Sequence, residues 1–240
     1  MDDLGLVGGV IKSPVKVCLY GPPGIGKTHM CAKIPNNVFL DLERGANNYD
    51  VFRRNASTLS EMLEFVKKFV EQKKFTTLTV DSWTVVEKFY INDVLKSNSW
   101  KNLEVPGYGK GYETLRQALS QYNEMEDFLV KNGKNIITIC HQQVSIRTEP
   151  GHEPYDIIEP AVQKKYITQF CANKDAIIYL RPKLMVIERE KGDISIARGT
   201  GERIAELHTN AGIVCKTRKE GMAPQVINPT YEVMNLCLEN

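Results

Sequence analysis

The apolar run Val15-Lys-Val-Cys-Leu-Tyr20 stops abruptly at Gly21, Pro22, Pro23, Gly24, Ile25 and Gly26, followed by Lys27, Thr28 and His29. Residues 21–28 fit the pattern G-x-x-x-x-G-K-[ST]. The context suits that pattern, because a strand precedes it and a helix can begin at Lys27. Glycines at these positions let successive backbone N–H groups curl around phosphate oxygens, and the helix start adds partial positive charge. In that arrangement Lys27 reaches the β- and γ-phosphates and Thr28 holds Mg²⁺, with residues 21–29 forming the nucleotide cradle. The competing reading is an ordinary Gly/Pro turn.

A strand–turn–helix start calls for more such units, and the chain supplies them. Val38-Phe-Leu40 reads as a second strand, Phe75 to Val80 as a third and Ile136 to Cys140 as a fourth. Residues 58–73 carry Leu59, Met62, Leu63, Val66, Phe69 and Val70 on one helical face. Thr58 and Glu61 form a capping-box pattern at its start. Further helices are expected over 83–97, 112–131 and 162–172, with a polar loop over 144–160 and a strand over 176–180. Beyond about 180 the character changes to a hairpin turning at Lys191-Gly192 and short strands near 203–208 and 212–217. Strands alternating with helices predict a mainly parallel sheet covered on both faces. The expected organisation is a lead-in over 1–13, an α/β core over 14–182 and a β-rich extension over 183–240 packed on the same domain.

Composition narrows the class. With 240 residues, 42% of them hydrophobic and a mean hydropathy of −0.30, the chain reads as globular and soluble rather than disordered or membrane-spanning. The 31 Lys and Arg against 29 Asp and Glu leave a net charge of +2, so any anionic partner must be met by a local basic patch. The six cysteines show no CxxC spacing, and several sit in apolar runs such as Val17-Cys18-Leu19, as reduced, buried small hydrophobes do. Without an apparent secretory signal, the expected location is cytoplasmic.

Three carboxylates and a histidine end the expected strands. Asp81 closes Leu78-Thr-Val-Asp, at the sheet edge where the phosphate loop lies, and is placed to order the Mg²⁺ shell together with Thr28. Ser82 follows it rather than a glutamate, so a hydrolase must find its general base elsewhere. Phe39-Leu-Asp-Leu-Glu43 offers Glu43; the alternative is that Asp41 and Glu43 only cap a loop. His141 and Gln142 end the fourth strand, where a polar side chain can sense the γ-phosphate.

With these elements in place, the chain resembles the RecA-like P-loop ATPases, and among them the phage-encoded Sak-type single-strand annealing proteins. The resemblance spans roughly 14–225. It rests on residues 20–28, Phe39-Leu-Asp-Leu-Glu43, Leu78-Thr-Val-Asp-Ser82, Tyr108-Gly-Lys-Gly-Tyr112 and Glu153-Pro-Tyr-Asp156. It implies an α/β RecA-like core with a C-terminal β-rich extension, ATP and Mg²⁺ as cofactors, and Glu43 as catalytic base. It further implies that His141 and Gln142 couple nucleotide state to a DNA-contacting loop, and that Lys216 and Arg218 reach a neighbouring subunit's nucleotide. The competing reading of that last pair is a solvated basic turn. The partners implied are single-stranded DNA, further copies of the chain in a ring or filament, and a single-strand-binding protein; no membrane is implied. For a phage-encoded protein, the compartment is the host cytoplasm.

DNA contacts would fall on loops near 98–112 and 144–165, through Tyr108, Lys110, Arg147, Lys164 and Lys165. Cations there neutralise phosphates and aromatic rings stack on bases. Glu149, Glu153, Asp156 and Glu159 work against it. Two other functions stay open: a small-molecule kinase and a nucleotide-switched scaffold. The kinase reading needs an arginine-bearing lid, and the middle of the chain offers only Arg116 and Arg147.

Overall fold

In the computed structural model, described for residues 8–9, 13–187 and 196–234, the strands join into one sheet. The strands are β1 (Lys16–Gly21), β2 (Asn37–Asp41), β3 (Phe52–Arg54), β4 (Thr77–Asp81), β5 (Asn135–Arg147), β6 (Tyr155–Pro160), β7 (Ala176–Ile187), β8 (Ile196–Glu206), β9 (Lys216–Thr217) and β10 (Gln225–Ile227). The helices are α1 (Lys27–Ala32), α2 (Leu59–Phe69), α3 (Trp83–Ser97), α4 (Lys110–Lys131) and α5 (Ile167–Asn173). The sheet order is β10-β8-β7-β1-β5-β4-β2-β3. The strands from β7 across to β3 run parallel, while β8 and β10 are antiparallel additions. This is the mixed α/β architecture with a C-terminal β-rich part that the sequence predicts.

The central strands read as continuous apolar runs because both faces are covered. On β1, Cys18 and Tyr20 point into a cluster built by α2 to α5, with Trp83, Tyr122, Tyr166 and Phe170 at its centre. Val17 and Leu19 point the other way, onto Met30 and Cys31 of α1 and Val233 and Met234. Helix α2 buries Met62, Val66 and Phe69 and ends at Phe69, four residues before the expected 73. Its start is capped as expected: Thr58 Oγ1 accepts from Glu61 N–H at 3.2 Å, and the Glu61 carboxylate accepts from Ser57 N–H at 2.8 Å.

Several expectations need correcting. Residues 144–160 are not one loop: β5 continues to Arg147 and β6 returns against it, with Gln143 opposite Glu159 and Arg147 opposite Tyr155. The charges and prolines of this stretch hide the alternation of Val144 and Ile146, which lean out from the hairpin into solvent. Strand β7 runs on through Pro182, where the ladder to β8 shifts register. An irregular point tolerates proline, which has no N–H to donate. The sequence reading also missed β3 and β10, whose few, mostly exposed residues carry no burial pattern. Only Lys216–Thr217 of the expected 212–217 strand forms. The expected turn at Lys191-Gly192, Cys237 and most of the lead-in lie outside the described residues.

Candidate functional site

The phosphate loop leaves β1 at Gly21 and enters α1 at Lys27. Gly24 and Gly26 have φ of 76° and 99°, left-handed values that a side chain resists. Gly21 needs its missing Cβ for another reason, since the atom would run into the Leu180 carbonyl of β7. The Lys27 ammonium is buried against the loop and donates to the Gly21 and Pro22 carbonyls, each at 2.9 Å. Burial lowers its pKa, and the nearby Asp81 charge pulls it back up.

The carboxyl ends of β4, β2 and β5 close on this loop. Thr28 Oγ1 donates to Asp81 Oδ2 at 2.7 Å. Asp81 is buried, which raises its pKa; the Thr28 hydrogen bond lowers it, and Glu43 and Asp41 raise it further. The Leu42 and Glu43 N–H groups donate to the Asp81 carbonyl at 2.7 and 3.2 Å, so the ends of β2 and β4 are tied together. Glu43 accepts a hydrogen bond from the Ser82 hydroxyl, and its carboxylate stands 3.6 Å from His141 Nε2. Nδ1 of His141 is buried, with no hydrogen-bond partner among the described residues. Asp41, which pairs in register with Asp81, accepts from Ala46 N–H at 3.2 Å.

These groups line one cavity of about 330 Å³, bounded by Gly24, Lys27, Thr28, Glu43, Asp81 and His141, with His29 and Tyr49 also at its wall. A left-handed glycine cradle with a lysine fits a polyphosphate. A hydroxyl beside one carboxylate suits Mg²⁺, which keeps most of its shell as water and substrate oxygens.

The remaining expected residues are scattered. Gln142 points to the opposite face of β5 from His141, and its Oε1 accepts from Tyr179 OH at 2.8 Å. Lys216 and Arg218 lie where β7 begins, at the sheet edge opposite the phosphate loop. There Lys216 Nζ donates to the Cys171 and Ala172 carbonyls at 3.2 and 3.0 Å, and Arg218 pairs with Asp175 at 2.8 Å. Arg147 and Lys164 line one groove of about 900 Å³ beneath the β5–β6 hairpin, together with Val144, Ile146, Glu87 and Glu159. Tyr108 is fully exposed in the turn before α4, beside Lys110, and Lys165 Nζ donates to the Gly109 carbonyl at 3.1 Å.

Two residues at the phosphate loop escaped the sequence reading. Tyr49 reaches the cavity from the loop after β2, 5.6 Å from the His29 ring between centroids, and offers a face on which a base can stack. An aromatic six residues beyond Glu43 was the available signal. Arg203 of β8 reaches the loop from the far side and donates to the Ile25 carbonyl at 3.2 Å. No local pattern announces it, because its partner is 178 positions away.

Among the described residues, no helix is long and apolar enough to cross a membrane. No curated protein matches the chain. The family described as an AAA domain matches residues 13–219, a span that contains the phosphate loop and every residue of the cavity. With a glycine cradle, a lysine and a Thr28–Asp81 pair inside a match of that extent, the chain belongs to the AAA domain family and is a P-loop NTPase.

Proposed function

We propose that this chain hydrolyses ATP and, as an assembly of like subunits, binds single-stranded DNA and promotes its annealing in recombination. The observation that carries the hydrolytic part is the shared cavity: Glu43, Asp81, Thr28 and His141 face the loop that Lys27 closes. Bound Mg²⁺ would supply charge neutralisation at the β- and γ-oxygens. Thr28 and Asp81 would hold it. Glu43 takes the proton from the attacking water, a role supported by the Ser82 hydroxyl that holds its carboxylate at the cavity wall. His141 stands beside Glu43 and can donate to a γ-phosphate oxygen or lose that contact after cleavage.

The DNA part is supported by continuity. The strand that carries His141 runs on into the β5–β6 hairpin, over a groove holding Arg147 and Lys164. Exposed Tyr108 and Lys110 offer a second contact point with stacking and charge. A kinase reading loses support because Arg116 is bound two-pronged to Glu113 on its own helix. The trans role of Lys216 and Arg218 requires a neighbour that draws Arg218 off Asp175.

ATP turnover measured with and without single-stranded DNA, alongside mass by light scattering, tests this reading. The expected result is an oligomer whose turnover rises with DNA and whose DNA affinity falls with salt. Absence of single-strand binding at low salt with ATP and Mg²⁺ present removes the DNA half. Absence of turnover in every condition leaves a nucleotide-switched scaffold.

A further inference from the structure

Beside Gly26, whose φ of 99° already favours glycine, stands the Arg203 guanidinium, with Nη1 close against the position a Cβ would take. Arg203 sits on β8, outside the parallel sheet that bears the rest of the site, and its Nη1 donates to the Ile25 carbonyl at 3.2 Å. The carboxylates nearest it in sequence and on its strand are taken by other cations: Glu202 pairs with Lys183 and Glu206 with Arg181. The backbone of Arg203 is bracketed in turn. Its N–H donates to Asn228 Oδ1 at 3.2 Å, and Asn228 N–H donates to its carbonyl at 2.7 Å, just beyond the β8–β10 ladder.

The Ile25 carbonyl and the Gly26 N–H belong to one planar peptide, so they point in opposite directions. Gly26 lines the cavity, while Arg203 meets the loop through the carbonyl behind it. A charged donor on that carbonyl both fixes the peptide plane and polarises its N–H towards whatever sits in the cradle. We propose that Arg203 is a positioning residue of the phosphate loop, by which the β8–β10 edge holds the Gly26 N–H turned towards bound phosphate. This rests on the nucleotide reading above. The Gly26 contact is made to the bound polyphosphate before and during reaction, so its loss weakens ground-state and transition-state binding alike. The signature is therefore in affinity rather than in turnover of the bound complex.

The full chain is compared with Arg203→Met, which keeps length and loses the donor, and with Arg203→Lys, which keeps one cationic donor. Affinity for Mg·ADP and for a non-hydrolysable ATP analogue is measured by calorimetry, and ATP turnover at saturation is measured beside it. Circular dichroism checks folding, and Arg203→Ser replaces the Met variant should that one not fold. Arg203→Met is expected to weaken both nucleotides about five- to twentyfold, with turnover at saturation changed far less and Arg203→Lys recovering most of the loss. Unchanged affinities, a loss confined to turnover, or a lysine variant as weak as methionine each overturn the inference. A wild-type chain that binds no nucleotide overturns the nucleotide reading itself, and this inference with it.

Discussion

Glu43 and Asp81 are both carboxylates at strand ends, yet their surroundings differ. Glu43 is partly exposed at the cavity wall, held by Ser82 and beside His141, and the proposed function makes it the general base. Glu43→Gln should therefore bind Mg·ATP much as wild type while turnover falls about 10²- to 10⁴-fold, read by calorimetry beside a phosphate-release assay. Asp81 is buried, and burial raises its pKa. A carboxyl raised in the fold favours the native state at low pH and disfavours it as pH rises through that pKa, so at neutral pH its charge is a cost. Asp81→Asn keeps an acceptor for Thr28 and removes that cost. The variant should melt higher than wild type in the absence of Mg²⁺ at pH 7, with the difference shrinking in acid, and should lose turnover. A lower melting point would show that the charge is paired rather than merely buried. Glu43, Asp81 and Lys27 were legible in sequence because each ends a strand or a motif and strand order carries it to one edge. Tyr49 and Arg203 were not, because nothing local fixes where a loop residue or a distant strand comes to rest.

At the scale of elements, the local signals that held were those with a local cause. The Thr58 cap is an example: its hydroxyl satisfies a first-turn N–H of α2. Thr58→Ala should cost about 1 kcal/mol in urea unfolding, with the slope unchanged. Elements without a local cause were misread. The β5–β6 hairpin looked like a loop because charged residues and prolines interrupt its apolar alternation, and Val144 and Ile146 border an open groove rather than a core. Strands β3 and β10 exist only because β2 and β8 offer them edges to pair with. A strand of three residues has too few side chains to show a period, so its formation depends on the neighbour.

The whole molecule hides an ion pair that a charge count could not show. Lys174 and Glu126 are hydrogen-bonded with no side-chain exposure, the ammonium 4.0 Å from the Phe170 ring centre, and Asn173 and Thr138 also donate to the carboxylate. Removing one partner strands the other charge. Lys174→Met should lower unfolding free energy by about 3–5 kcal/mol. Adding Glu126→Gln should recover part of that loss, so a double-mutant cycle in which the effects simply add would refute the pairing. The pair sits where α4, α5 and the start of β7 meet, next to the segment that Lys216 and Arg218 grip. That grip gives both cations a place in their own chain.

The sequence by itself determined the phosphate loop, the parallel α/β class and the acids at the strand ends. These follow from φ-permissive glycines, from apolar runs buried on both faces and from the rule that strand ends share an edge. Tertiary structure alone set the Leu180 carbonyl where a Cβ on Gly21 would collide with it, and brought Arg203 beside Gly26. It alone brought Tyr49 to the cavity and set the Tyr179 hydroxyl against Gln142. The physical reason is range: backbone angles and periodicity act over a few residues, whereas close approach between β1 and the β7–β8 hairpin depends on how the whole sheet is ordered.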